Sequence, residues 1–324
     1  MKKNILLVND TSLVCHHGCS LLMQCIYDLF KKNQIIIKDR IYFEENCTKY
    51  LKNEINFDLI LINGEGTIHG NKNSDSNKVN EIFEFIKSIK KNHDIPVIIF
   101  NSTISSLKKD QIQVLKIVDK IYVRESYSYD YLKKNKIKSM IVPDLLSLLE
   151  LKNKKGGNQI IVNDSSVASN TLKLKKFSEL ENYNYIPILY NNYLRYLRYF
   201  ICKILPIKEL KFITKLYLIT KNKYVLTFLN KINKSKFIIT GRFHAIFIAL
   251  AYMRPFYTFE SDTYKIRGLM NMIGISNRII NINSLENRPI LLKRFSKHEI
   301  IKIKKFKKNS KKIINIFIKE LKSV

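Results

Sequence analysis

The chain reads as an α/β protein of two Rossmann-like domains with mostly parallel sheets, and three observations lead there. Short β-rich apolar runs alternate with longer helical runs through the first half. The most linker-like stretch, Lys152-Asn153-Lys154-Lys155-Gly156-Gly157-Asn158, falls near the middle, and a new apolar run opens directly after it. Alternating strands and helices make crossover connections, which leave parallel strands covered on both faces. A chain of 324 residues is long enough for two domains of ordinary size. The expected division is 1–152 and 158–324.

In the first domain the pattern predicts strands near 3–8, 34–37, 58–62, 95–100, 119–123 and 139–142. Helices are predicted near 18–32, 46–53, 77–92, 107–116 and 126–135. In the second domain, runs at 159–162, 186–189, 237–240, 255–259 and 278–281 can continue a second sheet. One segment breaks the alternation. Residues 193–224 mix aromatic and long apolar side chains with Arg195, Arg198, Lys203, Lys208, Lys211 and Lys215, against the single acid Glu209. A helix pair interrupted at Pro206 is the simplest reading. Two placements fit this composition: a helix in a bilayer interface, or a core-facing helix pair whose lysines stay solvated.

The composition narrows the class of protein. Hydrophobic residues make up 46% of the chain, with 18 Phe and 18 Tyr, so sizeable cores can form. No apolar run reaches the roughly 18 residues of a membrane span, and MKKNILLVND opens a strand rather than a signal peptide. A cytoplasmic chain, either soluble or peripheral on the inner membrane face, is the expectation. Cys15, Cys19, Cys25, Cys47 and Cys202 form no paired framework and read as reduced thiols. Cys15 and Cys19 flank His16 and His17, but no second Cys/His cluster follows, so no metal is expected. A net charge of +30 and a pI near 9.8 would raise nucleic acid first. Lys, Asn and Ile are over-used from end to end, however, and no nucleic-acid motif is visible. Anionic substrates and an anionic membrane surface are the expected partners, and nucleic acid is not.

The most informative stretch is 238–274, which joins a buried strand to a charged loop and an apolar helix. Gly241-Arg242-Phe243-His244 falls where the strand ends and the helix begins. Two anion-binding side chains thus sit beside backbone N–H groups that a first helical turn leaves unpaired. The apolar helix at 245–251, Pro255 before a further strand, and Tyr264-Lys265 before another helix complete the pattern. It resembles the C-terminal signature of the polysaccharide pyruvyltransferase family: Ser-x-Arg-x-His, an apolar helix, a Pro-led strand and a Tyr/Lys segment. Upstream, Gly64-Glu65-Gly66-Thr67-Ile68 after a strand is similar to the family's Gly-Gly-Gly-x-Leu turn, with Glu65 at the central glycine. Arg124-Glu125-Ser126 and then Val142-Pro143-Asp144 resemble its strand-Arg and Pro-Asp elements, and His17-Gly18-Cys19 stands where Asn-x-Gly-Asp is common. The two halves then suggest a GT-B-like architecture, in which ligands lie beyond the carboxyl ends of the strands.

The resemblance implies transfer of the enolpyruvyl unit of phosphoenolpyruvate, as a ketal, to two hydroxyls of a sugar in a surface polysaccharide or its lipid-linked precursor. Phosphoenolpyruvate is then a substrate, and no separate cofactor is expected. A donor with a phosphate and a carboxylate needs at least two cationic clamps, for which Arg242 and Arg124 offer planar forks. Lys265 and Tyr264 can reach the same anion, and His244 can protonate the donor's methylene carbon or the departing phosphate. Glu65, between Gly64 and Gly66, is the first candidate to activate the sugar hydroxyl, followed by His69 and by His16 or His17. Asp144 can orient a partner or cap a helix, and Arg124 can instead pair with Glu125. The alternative reading keeps the fold and changes the donor to a nucleotide-activated sugar, a glycosyltransferase. Glu65 and the His17-Gly18-Cys19 loop are the departures that keep it open.

Overall fold

A computed structural model describes residues 3–52, 55–65, 68–70, 76–151, 157–190, 211–286 and 291–324. In the first half, six strands form one sheet: β1 (Asn4–Asp10), β2 (Ile36–Tyr42), β3 (Leu59–Asn63), β4 (Val97–Ser102), β5 (Lys120–Val123) and β6 (Met140–Ile141). Their order is β2-β1-β3-β4-β5-β6 and every pair is parallel. Helices α1 (His17–Lys32), α2 (Ser76–Asn92), α3 (Lys109–Lys116) and α4 (Ser126–Lys134) make the crossovers. All residues of β3 and β4 are buried, as parallel strands covered on both faces must be.

The second half holds β7 (Gln159–Ser165), β8 (Asn184–Tyr185), β9 (Ser235–Gly241) and β10 (Phe256–Thr258), in the order β10-β9-β7-β8, again parallel throughout. Its helices are α5 (Ala168–Leu180), α6 (Lys211–Asn233), α7 (Phe243–Ala251), α8 (Lys265–Ile273) and α9 (Lys297–Ser323). Two mostly parallel Rossmann-like sheets are therefore present, as the alternation predicts. Each sheet also has a point where the chain reverses its direction of strand addition, between β1 and β3 and between β7 and β9. Crevices for ligands form at the carboxyl ends of strands at such points.

One expected strand is displaced and another does not form. The strand expected at 186–189 appears two residues earlier as β8, with Ile186 N–H still donating to Val162 C=O of β7 at 2.8 Å; it ends there because Ile188 N–H donates to the Asp164 carboxylate at 2.7 Å while its carbonyl accepts from His17 N–H at 3.0 Å. The backbone groups a ladder would need are spent on the carboxyl ends of β7 and on the start of α1. Residues 278–281 make only an isolated bridge, Thr258 to Ile279, before Asn281 caps a 3-10 turn. The predicted helix at 46–53 is a 3-10 helix, Cys47–Lys52. In the basic-aromatic segment, α6 begins at Lys211, while 191–210, with Pro206 and most of the cations named above, lies outside the described residues. No helix among the described residues is long and apolar enough to cross a membrane.

One apolar core runs through both halves, joining Leu7, Leu61 and Ile98 of the first sheet to Ile238, Phe247 and Phe256 of the second half. The last helix completes it. Phe317 of α9 stacks on Phe100 with ring centroids 6.0 Å apart and meets Tyr122 edge-on at 4.8 Å. Tyr122 Oη donates to Glu320 at 2.7 Å. Phe317→Ala should therefore lower unfolding free energy by about 3–5 kcal/mol in urea titration. An unchanged midpoint would show that α9 adds nothing to the stability of the first sheet.

Candidate active site

The carboxyl ends of β1 and β3 supply the first wall. Asp10 ends β1 and its carboxylate accepts Ser12 N–H at 2.8 Å, which turns the chain into the short 3-10 helix Thr11–Leu13. Across the switch point, Glu65 leaves β3 with its side chain 2% exposed. It accepts from Thr11 Oγ1 and, at 3.3 Å, from Asn63 Nδ2, and Cys19 also bonds to it. Gly64 is required by packing, since a Cβ there would lie 2.4 Å from Ser102 Cβ on the neighbouring strand. Gly66 lies outside the described residues. His16 caps α1, its Nδ1 accepting Cys19 N–H at 3.1 Å.

The second wall comes from β7, β9 and β10. Arg242 caps the buried helix α7 with no side-chain hydrogen bond at the cap; Ala245 N–H already donates to the Arg242 carbonyl at 3.1 Å, which leaves the Phe243 and His244 N–H groups of the first turn without a side-chain cap. Its guanidinium is held by Asp164 at the end of β7, with Nε 2.8 Å from Oδ2 and a second bond from Nη2 to the same oxygen. His244 lies one turn-position further in and is buried, and its Nε2 has no hydrogen-bond partner. That nitrogen faces Glu65 Oε1 at 3.6 Å. The two halves touch here without a spare atom: a Cβ on Gly18 would fall 2.3 Å from His244 Cβ. Lys265 begins α8, another helix without a side-chain cap, and pairs with Asp262 at 3.2 Å.

The structure thus brings Glu65, His244, His16, Gly18, Arg242 and Lys265 to one crevice. Other predicted residues take different positions. Arg124 is buried, donating to Thr103 Oγ1 at 2.8 Å and to Asp144 at 2.9 Å, with its guanidinium 4.3 Å over the Phe243 ring. Asp144 is buried too, and its other oxygen caps the 3-10 helix Leu145–Leu148 through Leu146 N–H at 2.9 Å. Asp144 therefore orients Arg124 and caps a helix at once. Glu125, weighed above as Arg124's partner, instead caps α4 through Tyr127 and Ser128. Tyr264 is 58% exposed on the rim, stacked on Tyr127 of the first half at 5.0 Å. His69 bridges to Ser105 and lies close enough to Asp262 to favour its charge. His17 turns away from the crevice and stacks on Tyr190 and Phe228.

Burial and charge set the protonation states. Burial, then the neighbouring His16, Arg124, Lys265 and Arg242, push His244 well below its ordinary value, so the free imidazole is neutral. Burial pushes Glu65 up, against the opposing pull of Cys19, Thr11 and Arg124. Lys265 is lowered by burial, with Asp262 opposing. Burial opposes ionising Asp262, yet Lys265 holds its carboxyl below the usual range. Among the described residues, His16, Cys19 and His244 bring potential metal ligand atoms within 4.8 Å of one another. The surrounding field is cationic, from Arg124, Arg242, Lys265 and the first turn of α7, and it favours an anion over a cation.

The profile of the polysaccharide pyruvyl transferase family matches residues 16–263, more than half of the chain. The chain belongs to that family. The matched span of this polysaccharide pyruvyl transferase family member runs from His16 to Thr263 and takes in Glu65, Arg124, Asp144, Arg242 and His244, stopping just before Tyr264 and Lys265. A crystal structure of a functionally uncharacterised protein from Klebsiella pneumoniae subsp. pneumoniae NTUH-K2044 is similar in fold, with a TM-score of 0.51 and 14% sequence identity over 86% of this chain and 93% of that one. No curated protein matches the chain in sequence.

Thr11, Asp164 and Asp262 escape the sequence reading. Thr11 and Asp164 each lie in the polar ending of an apolar strand, Asn9-Asp10-Thr11 and Asn163-Asp164-Ser165, and that polar ending is the signal that could have found them.

The depressed His244 value carries a pH signature. Because the unfolded histidine titrates near 6.5, the unfolded chain takes up a proton before the folded one does as pH falls. The stability involved is complete above that pH and is lost below it. His244→Gln should flatten the fall in melting temperature between about pH 6.5 and 5 relative to wild type. Parallel curves for the two proteins would mean that His244 titrates normally in the fold.

Proposed function

We propose that this chain transfers the pyruvyl group of phosphoenolpyruvate, as a ketal, to two hydroxyls of a sugar in a surface polysaccharide or its lipid-linked precursor. The observation that carries this reading is the opposition of a buried, neutral-leaning carboxyl, Glu65, to an unpartnered imidazole nitrogen at the start of an uncapped helix, with Arg242 and Lys265 beside it. An anionic donor is favoured by the helix N-terminus and the two cations. Asp164 takes two of the Arg242 N–H donors and fixes the plane of the guanidinium, which leaves the fork preset for an anion.

The proton inventory of the reaction suits this pair. The donor's methylene carbon gains one proton, and the two acceptor hydroxyls lose one each as their oxygens bond to the central carbon. One of those protons balances the methyl group; the other leaves with the phosphate when the C–O bond to it breaks. A carboxyl that burial pushes up binds its proton more tightly than a free one and acts first as the acid toward the methylene carbon. As a carboxylate it then recovers a proton from a hydroxyl, so Glu65 serves as acid and base in turn. The neutral His244 can take up a proton once a phosphate lies against it and return it to the departing phosphate. The reaction belongs on the cytoplasmic side, where phosphoenolpyruvate is made, with peripheral contact at the membrane when the acceptor is lipid-linked.

Thermal-shift titration separates this donor from the glycosyltransferase reading. Phosphoenolpyruvate should raise the melting temperature in a saturable way, while nucleotides and nucleotide sugars should not. The reverse pattern would replace the donor and keep the fold. Glu65→Gln tests the chemistry at constant volume. Donor stabilisation should survive while turnover falls by about 10²–10⁴-fold. A variant that turns over normally would take Glu65 out of the proton path.

A further inference from the structure

On the far side of the α1 N-terminus from Glu65 lies a cavity of about 330 Å³, walled by His17, Leu189, Tyr190, Tyr224, Phe228 and Lys231 among others. We propose that this cavity is a saccharide subsite that holds a non-reacting sugar of the acceptor while its neighbour is pyruvylated; the inference rests on the reading given under Proposed function. Four of its nine lining residues are aromatic, beside Ile186, Pro187, Leu189, Thr227 and Lys231. The His17 ring stacks on Phe228 at 4.3 Å and on Tyr190 at 4.6 Å, and Tyr190 stacks in turn on Tyr224 at 5.3 Å. All three pairs are within about 25° of parallel, the ring planes meeting at 17°, 24° and 19°.

Packing alone does not account for this arrangement. A closed interior leaves few voids larger than a water molecule. Here the stack reaches the surface, with Tyr224 43% and Leu189 42% exposed, and it borders open space large enough for a small ligand. A pyranose has one face of C–H bonds and a rim of hydroxyls. The C–H face suits the electron-rich face of Tyr224, the exposed end of a stack in which Tyr190 is already covered by His17 and Tyr224, and the rim needs hydrogen-bonding groups at the edge of the pocket. Lys231 and Thr227 line that edge from α6. Thr227 Oγ1 donates to Lys223 C=O at 2.9 Å, which leaves its oxygen able to accept from a sugar hydroxyl.

The cavity is coupled to the crevice through consecutive residues. The His16 ring stands edge-on to His244 at 5.4 Å, while the next residue, His17, faces the cavity. Adjacent Cα atoms are about 3.8 Å apart, so one turn of backbone borders both the cavity and the crevice. Leu189, which lines the cavity, pairs with His16 in an isolated antiparallel bridge, and His17 N–H donates to Ile188 C=O at 3.0 Å. The backbone that shapes one chamber thereby shapes the other. A polysaccharide acceptor, which the family implies, has the neighbouring sugars that such a subsite requires.

The test compares wild type with Tyr224→Ala, which removes an exposed ring from α6, and Thr227→Trp, which fills the cavity from the same exposed face. Binding of a panel of glucose, galactose, mannose and N-acetylhexosamine tetrasaccharides, and of the matching monosaccharides, is followed by saturation-transfer NMR. The expected result is that at least one tetrasaccharide binds wild type and weakens by roughly tenfold in both variants, with folding and phosphoenolpyruvate-induced thermal shift unchanged. Equal tetrasaccharide binding by all three folded proteins, or no binding to wild type by any member of the panel, overturns the subsite. If phosphoenolpyruvate fails to stabilise any of the proteins while saccharide binding responds as expected, the donor assignment falls and the subsite stands.

Discussion

The contact between Gly18 and His244 is the constraint on which the site depends. With no room for a Cβ at Gly18, the first turn of α1 from one half lies directly on the first turn of α7 from the other. That contact places Glu65 opposite His244 and brings two helix N-termini together. Their partial positive charges add to those of Arg242 and Lys265. The α1 terminus is satisfied by the His16 cap, whereas α7 has no side-chain cap. An anion at α7 relieves a field that the protein's own groups leave only partly balanced.

The acids nearby are already committed. Asp164 holds Arg242, Asp262 holds Lys265, and Asp144 holds Arg124. The last of these pairs is fully enclosed, so its worth lies in geometry as much as in stability. Removing one partner from a buried pair leaves an uncompensated charge and costs about 3–5 kcal/mol. Arg124 thus has its orientation set by Asp144, Thr103 and the Phe243 ring, and it acts on the crevice through its charge, which helps to depress His244. Glu65 is the exception among these acids. It has hydroxyl, thiol and amide donors around it instead of a cation in direct contact.

The architecture explains why these groups meet. Both sheets reverse their strand order at a central pair of strands, and the carboxyl ends at each reversal open toward the same crevice. Thr11 and Glu65 come from the reversal in the first sheet, Asp164 and Arg242 from the reversal in the second. A shared apolar core and the return of α9 onto the first sheet hold the halves in register. The site is consequently built on packed elements, and its distances do not depend on a single loop.

Much of this was legible in the sequence, because strand and helix positions in parallel α/β chains follow from short-range patterns of apolar residues. The strands expected near 58–62 and 95–100 appear as Leu59–Asn63 and Val97–Ser102, and the helix near 126–135 as Ser126–Lys134. Arg242 and His244 at a strand-to-helix junction were readable for the same reason: both are local to one turn. Partner choice was not. Thr11 and Glu65 are 54 residues apart in the chain, and Arg242 and Asp164 are 78 apart, so no local pattern pairs them. The same holds for segment 186–189, whose β-rich composition predicts a strand until Asp164 and His17 claim the amide and carbonyl of Ile188. Sequence by itself determined the layers, their order along the chain and the family to which the key residues point. Only the tertiary structure decided which arginine is buried beside an aspartate, which imidazole nitrogen lacks a hydrogen bond and how far burial acts on the Glu65 carboxyl, because those outcomes depend on burial and on charges brought together from distant parts of the chain.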